Sequence, residues 1–197
     1  MYPALFDVAR PDSCSRWKVL LRPVQVLPLI IWAMFYALFI SIIQVLSFWS
    51  IVITGRHPQG LWDFIEGFFR FIAKMNAYLV FLTDRYPPMA GGDEHPYPVK
   101  IRVQYPGRMS RATVFFRGLI MLPHFFFTVG YSFVFFLVHT MNFLTILVLG
   151  KLYTWQYEYA RGFYIYMSRI NAYMLLLVDE YPPFNGAQPR AATEQFA

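Results

Sequence analysis

Polar and apolar positions along the chain fall into a few long blocks, and the same blocks occur twice. Val99, Ile101 and Val103 alternate with Lys100, Arg102 and Gln104, the period-two pattern of a short half-exposed strand; residues 5–10 hold the corresponding place near the N-terminus. Ser15 or Ser110 can then cap a short amphipathic helix carrying Arg16, Lys18 and Arg22, or Arg111 and Arg117. With their basic side toward headgroups, such helices lie in the interface plane. Uncharged runs follow, 28–54 and 123–149, each long enough to span a hydrocarbon core of about 30 Å. After Gly55 or Gly150 comes a second helical run, 61–82 or 155–177.

The recurrence is a true duplication. Shifting the chain against itself by 95 residues aligns 3–91 with 98–186 without a gap, and 24 of the 89 pairs are identical. Gly55-Arg56 returns as Gly150-Lys151, Asn76-Ala77-Tyr78 as Asn171-Ala172-Tyr173, and Asp84 with Tyr86-Pro87-Pro88 as Asp179 with Tyr181-Pro182-Pro183. Matched Pro, Gly and Asp at constant spacing do not arise from shared hydrophobicity alone. The repeats divide the chain into 1–91 and 92–197.

The second helical run decides the expected topology. At 100° per residue, Asp63, Glu66, Arg70 and Lys74 share an arc of about 100° with Gly67 and Ala77; Glu158, Arg161 and Arg169 share it with Gly162, Ile165 and Ala172 in the other copy. Such a helix lies flat in the interface, or spans with its stripe turned toward protein. Four charges at about +2.5–3.5 kcal/mol each oppose insertion of the first-copy helix alone. Glu66 and Arg70, four apart, are placed to pair, and the small residues let a neighbouring helix approach. If both runs of each unit span, Arg10, Arg16, Lys18, Arg22, Arg85, Lys100, Arg102, Arg108, Arg111, Arg117 and Arg190 share one side, while the hairpin loops hold Arg56 and Lys151 alone. That asymmetry favours four spans with both ends cytoplasmic. The fold class expected is therefore an all-α integral membrane protein. It has four transmembrane helices as two tandem hairpins pointing the same way, with short interfacial helices and a small cytoplasmic β-ribbon. The Asp-x-Tyr-Pro-Pro motifs mark where the chain leaves the bilayer, because Tyr suits the boundary and Pro ends a helix.

Composition supports a membrane setting. Hydrophobic residues make up 57% and charged residues 14% of the 197, against about 45–50% and about 25% in soluble domains; a small domain cannot bury that surplus. The net charge of +6 then reads as a topology signal, not as a nucleic-acid footprint. A lone Cys14 excludes an internal disulfide.

Candidate chemistry is sparse. Gln44 and Ser47 in one uncharged run, with His139 and Asn142 at the matching positions of the other, form a mid-membrane polar strip. It is a path or pocket or, the favoured alternative, a set of interhelical hydrogen bonds. His124 and His139 stand 15 residues apart on one helix, roughly 22 Å, too far to clamp one haem iron. No phosphate loop, nucleophile elbow or catalytic carboxylate pair is present, and Asp93-Glu94-His95 reads as a solvated turn. No catalytic, metal or cofactor site is expected.

The segment Gly55-Arg56-His57-Pro58-Gln59-Gly60-Leu61-Trp62-Asp63-Phe64, with Ala77-Tyr78, Leu82-Thr83-Asp84 and the Tyr-Pro-Pro endings, resembles a bacterial membrane family known as domain of unknown function 4389, here as two tandem copies. The resemblance implies a bacterial inner-membrane setting and brings no activity. The function expected is that of a non-enzymatic scaffold or accessory subunit in a larger membrane complex or homo-oligomer; a small oligomeric transporter or channel is the alternative. Arg16, Lys18, Arg22, Arg111 and Arg117 are expected to meet anionic lipid headgroups at about 1 kcal/mol each.

Overall fold

Helix boundaries follow local cap chemistry. In the computed structural model, which describes residues 2–11, 13–89 and 97–187, helix α1 (Arg16–Thr54) starts at Ser15, whose hydroxyl accepts from the Lys18 N–H, and stops at Gly55. Gly55 has φ +72° and α5 (Leu122–Leu149) ends likewise on Gly150 at φ +68°, a left-handed cap that glycine takes without a Cβ penalty. The segment Asp93-Glu94-His95 and Arg190 lie outside the described residues.

The separate interfacial helix expected in the first copy does not form. Helix α1 runs unbroken for 39 residues through Pro23 and Pro28. In the second copy the same stretch breaks into α3 (Arg111–Phe115), α4 (Arg117–Ile120) and α5. Helices α2 (Gln59–Leu79) and α6 (Thr154–Met174) end three residues earlier than the apolar pattern suggests. The cause is a left-handed turn at Phe81 and Leu176, both at φ +63°, closed by N–H groups of Leu82 and Leu177 on the carbonyls of Ala77 and Ala172.

Strand β1 (Ala4–Val8) pairs antiparallel with β2 (Val99–Val103), register Ala4↔Val103 through Val8↔Val99. The two strands are the same segment of the two repeats. Their buried face, Ala4, Phe6, Val8, Val99 and Ile101, rests on α2 and α6. Phe6 meets Phe69 and Tyr164 edge-on, each at 6.1 Å, and those two rings are again equivalent positions. On another side of α2, Phe64 and Phe68 pack on Tyr36 of α1 at 5.3 and 5.0 Å. The layers are thus the ribbon, then α2 and α6, then α1 with α3–α5.

Antiparallel pairing of equivalent strands fixes the direction of everything attached to them. The Cys14 N–H donates to the Gly150 carbonyl at 2.8 Å, and the Met109 N–H to the Gly55 carbonyl at 3.1 Å. The start of each repeat therefore sits on the end of the other repeat's long helix, and α1 and α5 run antiparallel. Two hairpins pointing the same way, with both loops on one side and the 84–117 connection on the other, do not fit this geometry. Nor does the eleven-to-two charge count carry over: Arg16, Lys18, Arg85 and Lys151 gather at one end of α1, and Arg56, Arg108 and Arg111 at the other.

Candidate lipid-contacting face and its polar anchors

Helices α1 and α5 are the two described helices long and apolar enough to cross a membrane. Their outer surface is uncharged and mostly apolar from Leu20 to Ile53 and, across α3–α5, from Phe115 to Leu149, with Leu38, Phe39, Ile42, Phe126, Phe133 and Phe136 among the exposed side chains.

Two arginine locks close the ends of α2 and α6. Arg22, 3% exposed, donates to the Tyr78 and Thr83 carbonyls and reaches the Asp84 Oδ1 at 2.7 Å. The other oxygen of Asp84 accepts the Ser15 N–H at 2.5 Å. The Arg22 guanidinium also lies 4.2 Å from the Tyr78 ring centre, within cation–π range. Arg117, 4% exposed, repeats the arrangement with the Tyr173 and Val178 carbonyls, Asp179 at 3.3 Å and the Tyr173 ring at 4.1 Å, while Ser110 N–H donates to Asp179. Arg22 and Arg117 are therefore not headgroup ligands: they satisfy carbonyls left open where a helix stops. The sequence carried the signal, since Arg22, Asp84 and Ser15 all recur at the 95-residue offset, but nothing in the spacing linked residues more than 60 apart. Arg16, Lys18 and Arg111 are exposed as expected. The Arg16 and Arg111 guanidiniums lie beside Gly150 and Gly55, against the negative ends of α5 and α1.

Two ion pairs of the charged stripes each form within a single helix. Asp63 is exposed, Arg70 pairs with Glu66 at 2.6 Å, and Arg161 pairs with Glu158 at 3.5 Å while Glu158 stays 57% exposed. Arg70 lines a hollow with Tyr2, Leu5 and Arg102 of the ribbon, so this part of the first stripe flanks the ribbon. Lys74 is buried. Arg169 is buried too, and it holds the C-terminal segment by donating to the Asn185 and Ala187 carbonyls at 3.1 and 2.9 Å. Gly186 crosses α6 there with no room for a side chain: a Cβ would stand 1.9 Å from the Gly162 carbonyl oxygen.

Two residues of the polar strip on α1 and α5 join the repeats. Gln44 Nε2 donates to the Met174 carbonyl at 2.8 Å, and His139 stacks on Phe81 at 4.5 Å, so each residue touches the helix end of the opposite repeat. Ser47 and Asn142 are fully buried. His139 also lines an apolar groove of about 550 Å³ with Val19, Val26, Leu79 and Phe143. His124 is engaged at both ring nitrogens, by the Tyr166 hydroxyl and the Pro182 carbonyl, each at 2.9 Å. Among the described residues no group of three His, Cys, Asp or Glu is placed to hold a metal. Outside the long helices, burial lowers His57 to about 4 and raises the Cys14 thiol to about 11, with Asp84 reinforcing the second shift.

Arginine lock, glycine stop and paired strand recur in both halves, and the family comparison finds the same two units. The domain of unknown function 4389 matches residues 16–90 and again 111–185. The chain belongs to that family. Both matches begin at the arginine beside the opposite repeat's glycine stop and run past the Tyr-Pro-Pro segment. No curated protein and no solved structure matches the chain.

Proposed function

We propose that this member of the family is a non-enzymatic protein of the bacterial cytoplasmic membrane, acting as a scaffold or accessory subunit within a larger complex or a homo-oligomer. The observation that carries this is how the polar groups are used. Arg22, Arg117 and Arg169 hold backbone carbonyls, Glu66 and Glu158 pair with their own helices' arginines, and Gln44 ties one repeat to the other. The outer face of α1 and α3–α5 is an apolar layer bordered by exposed basic residues, a surface for lipid and for other membrane subunits. A polar conducting path, the alternative, draws no support from Glu66 with Arg70 or Glu158 with Arg161, which pair within their own helices, nor from Arg169, which is taken up by the C-terminal segment.

The test is extraction in mild detergent, with cross-linking before lysis and mass spectrometry of what co-purifies. The chain is expected to stay with membranes through an alkaline carbonate wash and to leave them with a stoichiometric partner or as an oligomer. A monodisperse monomer with no partner would refute the scaffold.

A further inference from the structure

Resting on that membrane assignment, we infer that α1 and α5 lie in the plane of the membrane, sunk into one leaflet, with the ribbon facing water on the same side as both hairpin loops. The surface engaged is the outer face of α1 and α3–α5, and its partner is the acyl layer of one leaflet carrying anionic headgroups.

Length is the first ground. Exposed apolar side chains run without an intervening exposed charge from Leu20 to Ile53 on α1, about 50 Å at 1.5 Å per residue. A hydrocarbon core is about 30 Å thick, so an upright α1 leaves a large part of this face in water.

The ribbon is the second ground. Tyr97 donates to the Arg85 carbonyl at one end of β2, and Tyr105 donates to the His57 carbonyl at the other. Residues 85 and 57 belong to the two ends that α1 joins, so β2 lies at the same depth as the middle of α1. Its Lys100 and Arg102 are exposed, and a two-stranded ribbon has two outer edges. Open edges do not occur in hydrocarbon. If α1 stood upright, the ribbon would sit inside the bilayer.

Charge is the third. Exposed Arg16, Lys18 and Lys151 at one end and Arg56, Arg108 and Arg111 at the other give no inside-outside bias, but they border both ends of the apolar face, where anionic headgroups would meet it. An interfacial helix normally carries its own polar side. Here α2, α6 and the ribbon supply that side for α1 and α5.

The test places single cysteines by Gly60→Cys, Gln104→Cys and Lys151→Cys, in a Cys14→Ser background, and labels them with a membrane-impermeant maleimide in sealed spheroplasts and in inside-out vesicles. In-plane helices put all three on one side, labelling at least tenfold faster in the same preparation. If the first two label from one side and Lys151→Cys from the other, the helices are antiparallel spans and the inference is wrong. If Gly60→Cys and Lys151→Cys label together, opposite Gln104→Cys, they are parallel spans and it is equally wrong. Polarised infrared spectroscopy of the unsubstituted chain in aligned phosphatidylethanolamine–phosphatidylglycerol bilayers guards against misfolded variants: helix dichroism along the bilayer plane supports the inference, and along the normal overturns it. A chain that washes off membranes instead removes the membrane assignment itself.

Discussion

Phe6 and Ile101 face each other across the β-ribbon and are the same position of the two repeats, 95 residues apart. The local twofold axis therefore passes between them, perpendicular to the strands. Phe69 and Tyr164, which flank Phe6, obey the same axis, as do the Cys14–Gly150 and Met109–Gly55 bonds. One pairing register thus sets the opposed directions of α1 and α5.

The arginine locks should be unequal. Asp84 sits 2.7 Å from Arg22, whereas Asp179 is 3.3 Å from Arg117 and more exposed. Asp84→Ala strands a buried guanidinium and is expected to cost about 3–5 kcal/mol. Asp179→Ala should cost less, about 1.5–3 kcal/mol, the value of one hydrogen bond to a charged group. Thermal unfolding in detergent, followed by tryptophan fluorescence, checks the order.

Stability should fall on acidification through His57. Neither of its ring nitrogens has a protein partner among the described residues, and burial followed by the Arg117 charge lowers its pKa from 6.5 to about 4. Between those values the unfolded chain binds the proton and the folded chain does not. This contribution is complete above pH 6.5, declines as pH falls to about 4, and is then lost, an effect on the order of 3 kcal/mol. His57→Gln should flatten that part of a stability-against-pH curve.

Cys14 should resist thiol reagents while the protein is folded. It is buried, and burial followed by the Asp84 charge raises its pKa to about 11, so at pH 8 only about one thiol in a thousand is thiolate. Modification should be at least tenfold slower than after denaturation, read by mass spectrometry.

Gly186→Ala should release the C-terminal segment from α6, because its Cβ would meet the Gly162 carbonyl at 1.9 Å. The expected cost is about 1–3 kcal/mol, with faster proteolysis of the tail as Arg169 loses the Asn185 and Ala187 carbonyls. Among the described residues, a Cβ at Gly162 meets only the Tyr131 hydroxyl within 4 Å, at 3.7 Å. Gly162→Ala should therefore be neutral or stabilising by up to about 1 kcal/mol.

Much of the architecture was legible in the chain. The repeat, both strands, the Ser15 and Ser110 caps and the glycine stops leave local marks: a shift identity, a period of two, a hydroxyl, a missing side chain. The opposed direction of the repeats leaves none, because it depends on which edge of β1 meets β2, and either arrangement satisfies the same alternation. The roles of Arg22 and Arg117 are hidden for a related reason. An arginine on an apolar helix reads alike whether it reaches a headgroup or a carbonyl, until Tyr78 and Tyr173 are seen above it. What a charged stripe faces is not legible either, because helical periodicity gives an angle and not a neighbour.

Because β1 and β2 are copies of one segment held in a symmetric register, the same ribbon can close between two separate chains. A protein of half this length would carry a single strand with no mate, a long helix lacking its arginine at the far end, and every reason to dimerise. In the doubled chain the linker between the halves makes that partnership permanent and frees it from concentration.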